Sequence, residues 1–318
     1  MEITSSEVKS LHTTTPAYHN HVPQETYKVL LGWLDDEWAI QARSSLISDT
    51  PENHTKAVEG CRARVAARPA FTPDNPITEI AENALVKAIK ARPEFAFIET
   101  EVHNIDAEAS CRIAMVNLND VLALQPIVRI DNLESRLIQG TLSEKQLYEL
   151  SFPPNQIPDT VTIDNHERGY TVTTLDPNVR VALWHDIPMN PPQALPKYQL
   201  QYPSASSSLQ VPLFPFVLMR APNYLQVAHF QDRYILREGY NRAVALLYQN
   251  IHHVPCVLVE TDEPDMVFKP GMLDPEIMMG ERPPRLRDFW QDEVTCLMQR
   301  PAMRKIYHIT LEEIEVWR

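Results

Sequence analysis

The residues best suited to chemistry lie in one short stretch, Glu238-Gly239-Tyr240-Asn241-Arg242. A β-rich run, Tyr234 to Arg237, precedes it and an alanine- and leucine-rich run, Ala243 to Tyr248, follows it, so the pattern predicts strand, tight turn and helix. The first N–H groups of a helix have no intrahelical partner and carry the positive end of the helix dipole. A glycine lets a phosphate approach them closely, and Arg242 adds positive charge. The stretch therefore predicts an anion site made by Glu238, Gly239, Tyr240, Asn241 and Arg242.

The same residues also allow a purely structural interpretation. Gly239 could serve only as the left-handed residue through which the strand enters the helix, and Arg242 could form an ion pair with Glu238 or Asp232. Glu238 could hold a metal, or it could accept hydrogen bonds from the helix N–H groups as a cap. The sequence names no catalytic residue and no metal ligand set, so whether the protein is an enzyme stays open.

Composition excludes several classes of protein. The chain has 318 residues, of which 44% are hydrophobic and 22% charged, which is typical of a folded globular protein. Its formal net charge of −13 disfavours binding to a nucleic-acid backbone. The N-terminus lacks a signal-peptide pattern, no apolar run is long enough to span a membrane, and the four cysteines fit no zinc or redox spacing. These features predict a cytoplasmic protein with free thiols and no membrane contact.

Periodicity predicts an α/β protein of mixed architecture in three regions. Residues 1–94 form a helical unit, with helices expected over Pro23–Ile47, Thr55–Ala67 and Ile77–Ile89. Residues 95–262 form a mixed α/β domain that begins with a strand at Phe95–Val102 and contains a proline-rich connection over residues 187–210. Residues 263–318 form a C-terminal extension with a helix over Arg285–Arg300. The strand after Ile251 is expected to run parallel to the strand before Gly239, as in a crossover unit.

The central motif resembles the ParB/sulfiredoxin-like superfamily, which includes the ParB-like nuclease domains. Ile235-Leu236, Glu238, Gly239, Arg242 and Val254-Pro255 match its pattern of an aliphatic strand, an acidic residue, a Gly-x-x-Arg turn opening a helix, and a Val-Pro strand. This similarity covers mainly residues 211–260. A weaker similarity covers residues 113–129, where Met115 to Leu122 and Gln125-Pro126 look like the opening strand and loop of the superfamily. Together they imply a ParB/sulfiredoxin-like fold with a long insertion.

The resemblance implies a phosphate pocket but not the chemistry of its relatives. By analogy, Gly239, the backbone of the turn and Arg242 would bind the phosphate of a nucleotide, with a nucleoside triphosphate and Mg²⁺ as the implied cofactor. Sulfiredoxins need a cysteine directly after the glycine, and Tyr240 there cannot repair a sulfinic acid. ParB-type proteins carry Glu, Arg or His at the two positions after the glycine, where Tyr240 and Asn241 offer a phenol and an amide. Binding without catalysis is therefore the function that the resemblance favours.

A second function belongs to a different class. If the turn is only structural, the chain is a non-catalytic interaction or scaffold protein whose apolar helices, Pro23–Ile47 and Arg285–Arg300, bind a protein partner or a second copy. A third, a DNA nuclease or DNA-binding accessory factor, is disfavoured by the net charge and by the residues after Gly239.

Overall fold

A computed structural model describes residues 24–43, 51–131, 142–154, 161–166, 169–174, 179–183, 216–220, 223–291, 293–302 and 305–310. Within these residues the chain forms fourteen strands and eight α-helices, which confirms the predicted α/β class. In chain order they are β1 (Gln24–Val29), α1 (Asp36–Arg43), α2 (Pro51–Ala66), β2 (Ile77–Glu79), α3 (Ala84–Lys90), α4 (Pro93–Ile105), β3 (Ser110–Asn117), β4 (Leu122–Ala123), β5 (Ile127–Arg129), α5 (Glu144–Ser151), β6 (Thr162–His166), β7 (Gly169–Thr174), β8 (Val179–Leu183), β9 (Phe216–Arg220), β10 (Gln226–Phe230), β11 (Arg233–Glu238), α6 (Tyr240–Tyr248), β12 (His253–Glu260), α7 (Pro264–Val267), α8 (Pro275–Met279), β13 (Cys296–Pro301) and β14 (Lys305–Thr310).

The central element is a six-stranded sheet in the order β2-β3-β12-β10-β11-β4. Its middle strand, β12, is buried from Val254 to Val259 because it is apolar at nearly every position, as expected for a strand covered on both faces. β10 and β11 form an antiparallel hairpin, and β4 pairs in parallel with the outer side of β11. The two stretches that carry the superfamily resemblance therefore meet in neighbouring strands.

The predicted parallel crossover from β11 to β12 is wrong. β12 runs parallel to β10, and β10 runs antiparallel to β11, so β11 and β12 have opposite directions. The reason is that α6 has only nine residues and does not return the chain to the starting end of β11. β12 starts instead beyond the Gln226 end of β10, which is also the end at which β11 finishes.

A second, three-stranded sheet joins the two ends of the described chain in the order β13-β1-β5. Its strands β1 and β13 show that the apolar helices predicted over Pro23–Ile47 and Arg285–Arg300 are wrong. The first is a strand (β1), a 3₁₀ turn at Leu31–Trp33 and the short helix α1; the second is a 3₁₀ turn at Leu286–Trp290 followed by strand β13. β1 forms strand ladders on both of its edges, and this tertiary pairing outweighs the helical spacing of the apolar residues.

Two further predictions of secondary structure change in the same part of the chain. The helix expected over Ile77–Ile89 is strand β2 followed by α3, which begins where the Asn83 side chain accepts the Val86 N–H at 2.9 Å. The strand expected at Phe95–Val102 is helix α4, because Pro93 occupies its first turn and Phe95, Ile98 and Val102 form one buried helical stripe. The helix expected over Thr55–Ala67 is confirmed as α2.

Residues between β5 and β10 contribute elements outside the six-stranded sheet. β7 pairs with β6 on one side and with β14 on the other, and β8 pairs with β9. The proline-rich connection over residues 187–210 lies outside the described residues, and the three-region division of the chain stays a prediction. Among the described residues, no helix combines the length and apolar character needed to cross a membrane.

Candidate functional site

The backbone of the Glu238–Arg242 turn has the predicted form. β11 ends at Glu238, Gly239 has φ 93° and ψ 20° in the left-handed region, and α6 begins at Tyr240. The Gly239 carbonyl accepts the N–H groups of Arg242 at 3.0 Å and Ala243 at 2.9 Å. A Cβ atom at position 239 would lie 3.1 Å from the Leu225 Cα atom. Glycine is therefore required both by the backbone angle and by the close approach of Leu225, the residue before β10.

The Tyr240 side chain is part of the core. Only 6% of it is exposed, and its hydroxyl accepts the N–H groups of Leu124 at 2.8 Å and Gln125 at 3.0 Å while donating to the Leu236 carbonyl at 2.6 Å. Burial raises the pKa of Tyr240, so the phenol is neutral near pH 7. This hydroxyl ties the start of α6 to the loop after β4 and has no free face for a ligand.

The Arg242 guanidinium also forms hydrogen bonds within the protein. Its Nη1 donates to the carbonyls of Leu150 at 2.9 Å and Ser151 at 3.3 Å, and its Nη2 donates to the Asn223 side-chain oxygen at 2.5 Å and to the Asn223 carbonyl. One side chain thus fixes the end of α5, the residues before β10 and the first turn of α6. Four donor contacts to protein oxygens occupy both terminal nitrogens.

The remaining two side chains of the turn are those of Glu238 and Asn241. Glu238 is exposed and Asn241 is half-buried, and both lie at the start of α6. The predicted site residues are therefore brought together, and among them Glu238 is exposed, Tyr240 is buried, and Asn241 and Arg242 are half-buried.

An aromatic cluster is formed by residues next to the acceptors of Arg242 in the chain. The rings of Tyr148 and Phe152 are 5.9 Å apart and those of Phe152 and Tyr224 are 5.3 Å apart. The Arg92 guanidinium donates to the Phe152 carbonyl at 2.6 Å, which gives a second arginine–carbonyl contact beside that of Arg242. Burial raises the pKa of Tyr224 to about 12, against the opposing effect of Arg92. Among the described residues, the Ser151 hydroxyl is buried without a hydrogen-bond partner.

A groove of about 560 Å³ lies at the other end of the β10–β11 hairpin. Its wall contains His229, whereas the turn lies beyond Gln226 at the opposite end of β10. Five carboxylates line it, those of Asp106, Glu108, Glu260, Asp262 and Glu263. Their charge would repel a phosphate, so the groove is not the predicted anion site. Within the described part of the chain, no group of three or more His, Cys, Asp or Glu side chains is arranged to hold a metal ion.

Comparison of the chain with protein-family models, with curated proteins and with solved structures finds no match. The ParB/sulfiredoxin-like resemblance therefore stays a prediction that rests on the residues of the turn and the two flanking strands. The acceptors of Arg242 were not foreseen in the sequence. Every residue has a carbonyl group, so nothing in the residue types at positions 150 and 151 marks them as partners.

Proposed function

We propose that the protein is a non-catalytic interaction protein in which the Glu238–Arg242 turn stabilises the fold. The observation that carries this proposal is the occupation of both functional side chains by the protein's own backbone: Tyr240 by two N–H groups and one carbonyl, Arg242 by three carbonyls. A phosphate could recruit Arg242 only by breaking these bonds, which would leave buried carbonyl groups unpaired. We place the protein in the cytoplasm, where its four free cysteines would stay reduced.

The phosphate-binding function is the second candidate. It is supported by the strand–glycine–helix geometry, because a glycine before a helix start lets an anion approach the first N–H groups closely. In this case a nucleoside triphosphate with Mg²⁺ would bind beside Glu238 and Asn241, and Arg242 would support the turn from behind.

Thermal unfolding with a nucleotide panel separates the two candidates. We expect no change in melting temperature with millimolar ATP, GTP, CTP or UTP in the presence of Mg²⁺. A triphosphate present at a hundred times its dissociation constant would stabilise the protein by about 2.7 kcal/mol and raise the melting temperature by about 4 °C. Such a shift, with none from the matching nucleoside, would overturn the structural interpretation of the turn.

Asn241→Asp is the matched variant for that experiment. A carboxylate in the first turn of α6 is favourable to the helix dipole, so the variant should fold normally, but it would repel a phosphate at the same place. If a nucleotide shift is seen with the wild type and persists in Asn241→Asp, the nucleotide binds elsewhere on the protein.

A further inference from the structure

The groove of about 560 Å³ beside the β10–β11 turn lies at the ends of three neighbouring strands, β3, β12 and β10. Glu260 of β12 is paired with Ser110 of β3 on one side and with His229 of β10 on the other. Since neighbouring strands lie about 4.8 Å apart, the backbones of Ser110 and His229 are separated by roughly 10 Å. This space is sufficient for one extended segment of polypeptide.

The lining of the groove carries negative charge with little compensation. It contains five carboxylates and neither a lysine nor an arginine. The Arg112 guanidinium lies 3.3 Å from one of them, that of Glu260. Within the described residues, the carboxylates of Glu108, Asp262 and Glu263 form no ion pair. Whatever occupies the groove therefore meets several carboxylates that lack a cation.

The same groove also offers an apolar contact, which is independent of its charge. Ile105 is 45% exposed, and of the four large apolar side chains that are exposed among the described residues it is the one that lines this groove. The His229 ring in the wall stacks on Tyr234, with 4.4 Å between the ring centres and 10° between the planes. Lysine and arginine have apolar stems below their charged heads, so such a side chain can cover an isoleucine while its head reaches a carboxylate.

We propose that this groove binds an extended segment of a partner protein that is rich in lysine and arginine. The charged heads would contact Glu108, Asp262 and Glu263, and an aliphatic stem would cover Ile105. The net charge of −13 would also attract a basic partner toward the chain. A second copy fits less well, because it carries the same net charge and would be repelled. This inference specifies the partner class of the interaction function proposed above and rests on it.

Fluorescence anisotropy with defined peptides tests the proposal. The probes are fluorescein-labelled ten-residue peptides in which alanine alternates with arginine, serine or glutamate, added to the full chain. We expect the arginine peptide to bind and the other two not to bind at the same concentrations. Binding should weaken as salt is added, because salt screens exposed charges. No binding of the arginine peptide at millimolar concentration would overturn the proposal.

The triple variant Glu108→Gln/Asp262→Asn/Glu263→Gln locates the binding site. All three side chains are exposed, so the variant should fold normally. We expect it to bind the arginine peptide about ten-fold more weakly than the wild type, since three ion pairs are lost.

Two matched controls separate the groove from the rest of the surface. Glu37→Gln/Glu59→Gln/Glu276→Gln makes the same change in net charge at exposed positions outside the groove, and equal affinities of the two triple variants would refute the assignment. Ile105→Ser should weaken binding about five-fold without a change in charge, because it removes apolar surface. Ile306→Ser, at a 54% exposed position in a different sheet, should leave the affinity unchanged.

Two other occupants give different results. Displacement of the arginine peptide by micromolar spermidine would show that the groove takes a free polyamine, which overturns the proposal of a protein segment. A sedimentation mass that rises with concentration in the wild type, and not in the groove triple variant, would show that a second copy fills it. A nucleotide shift in thermal unfolding would count against the interaction function itself, whereas equal affinities of the triple variants would leave that function intact, so the two failures are distinguishable.

Discussion

At the scale of single residues, both the backbone angle and the packing at position 239 require glycine. We expect Gly239→Ala to lower the free energy of unfolding by about 2–4 kcal/mol, because it adds left-handed strain to a contact with the Leu225 backbone. Gly271→Ala is the control: its φ is +81° and a Cβ atom there would meet nothing within 4 Å, so it should cost about 1 kcal/mol. Urea unfolding of both variants measures the difference. Equal losses would show that the approach of Leu225 has no energetic consequence.

The residues of the turn also show where sequence reasoning stops. The strand, the glycine and the helix start are local features, and the sequence predicted all three. The roles of Tyr240 and Arg242 are not local. The acceptors of Arg242 at Leu150 and Ser151 lie 92 and 91 residues away along the chain, and carbonyl groups give no residue-specific signal. The charge and position of Arg242 therefore predicted a bound ligand, whereas in the structure its guanidinium donates to backbone carbonyls of the same chain.

At the scale of elements, buried arginines hold segments that lack regular pairing. Arg237 donates to the Met266 carbonyl of α7 at 3.0 Å, and Arg233 donates to the carbonyls of Met278 at 3.2 Å and Met279 at 3.1 Å in α8. Arg92 and Arg242 do the same for the end of α5. The chain contains 27 prolines, which donate no backbone hydrogen bond, so carbonyls near them need donors from side chains. A planar guanidinium can satisfy several such acceptors at once.

Arg242→Met tests this arrangement. It keeps an unbranched apolar stem but leaves the carbonyls of Leu150, Ser151 and Asn223 without their donor, so we expect a loss of about 3 kcal/mol in the free energy of unfolding. Hydrogen exchange of the α5 amides should become faster. Arg242→Lys should not restore stability, since one ammonium cannot reach acceptors on both sides of the fork. The control is Arg287→Met at an exposed position, expected within about 0.5 kcal/mol of the wild type; a similar loss there would contradict the assignment.

The errors in predicting elements have a common physical cause. The regions Pro23–Ile47 and Arg285–Arg300 have apolar residues at helical spacing, but they contain strands β1 and β13, which pair with each other across almost the whole length of the chain. The sequence of one strand does not indicate which distant strand it pairs with, whereas the hydrogen bonds of a helix such as α2 join residues four apart. Sequence periodicity therefore could not predict the β13-β1-β5 sheet.

At the scale of the whole molecule, one hydrophobic core extends from Val29 to Met298 and encloses several titratable groups. Burial raises the pKa of the Cys111 thiol to about 11 and that of the Cys296 thiol to about 12, and it also raises the pKa of Cys256. Tyr224 has a pKa of about 12 for the same reason. All of these groups are neutral in the folded protein at pH 8, so they contribute no pH dependence to stability below that value.

These shifts predict that the protein loses stability as the pH rises from 8 to 11. In the unfolded chain the thiols ionise near pH 9.0 and the tyrosines near pH 10.0, whereas the folded protein retains these protons to about pH 11–12. The unfolded state therefore binds fewer protons over this range, and each such group lowers the free energy of unfolding by about 1.4 kcal/mol per pH unit between its two pKa values. Urea unfolding at pH 8, 9, 10 and 11 measures the slope. Tyr224→Phe should flatten the decline above pH 10, because it removes one of the groups whose pKa is raised by burial. A wild-type stability that stays constant to pH 11 would contradict the burial of these groups.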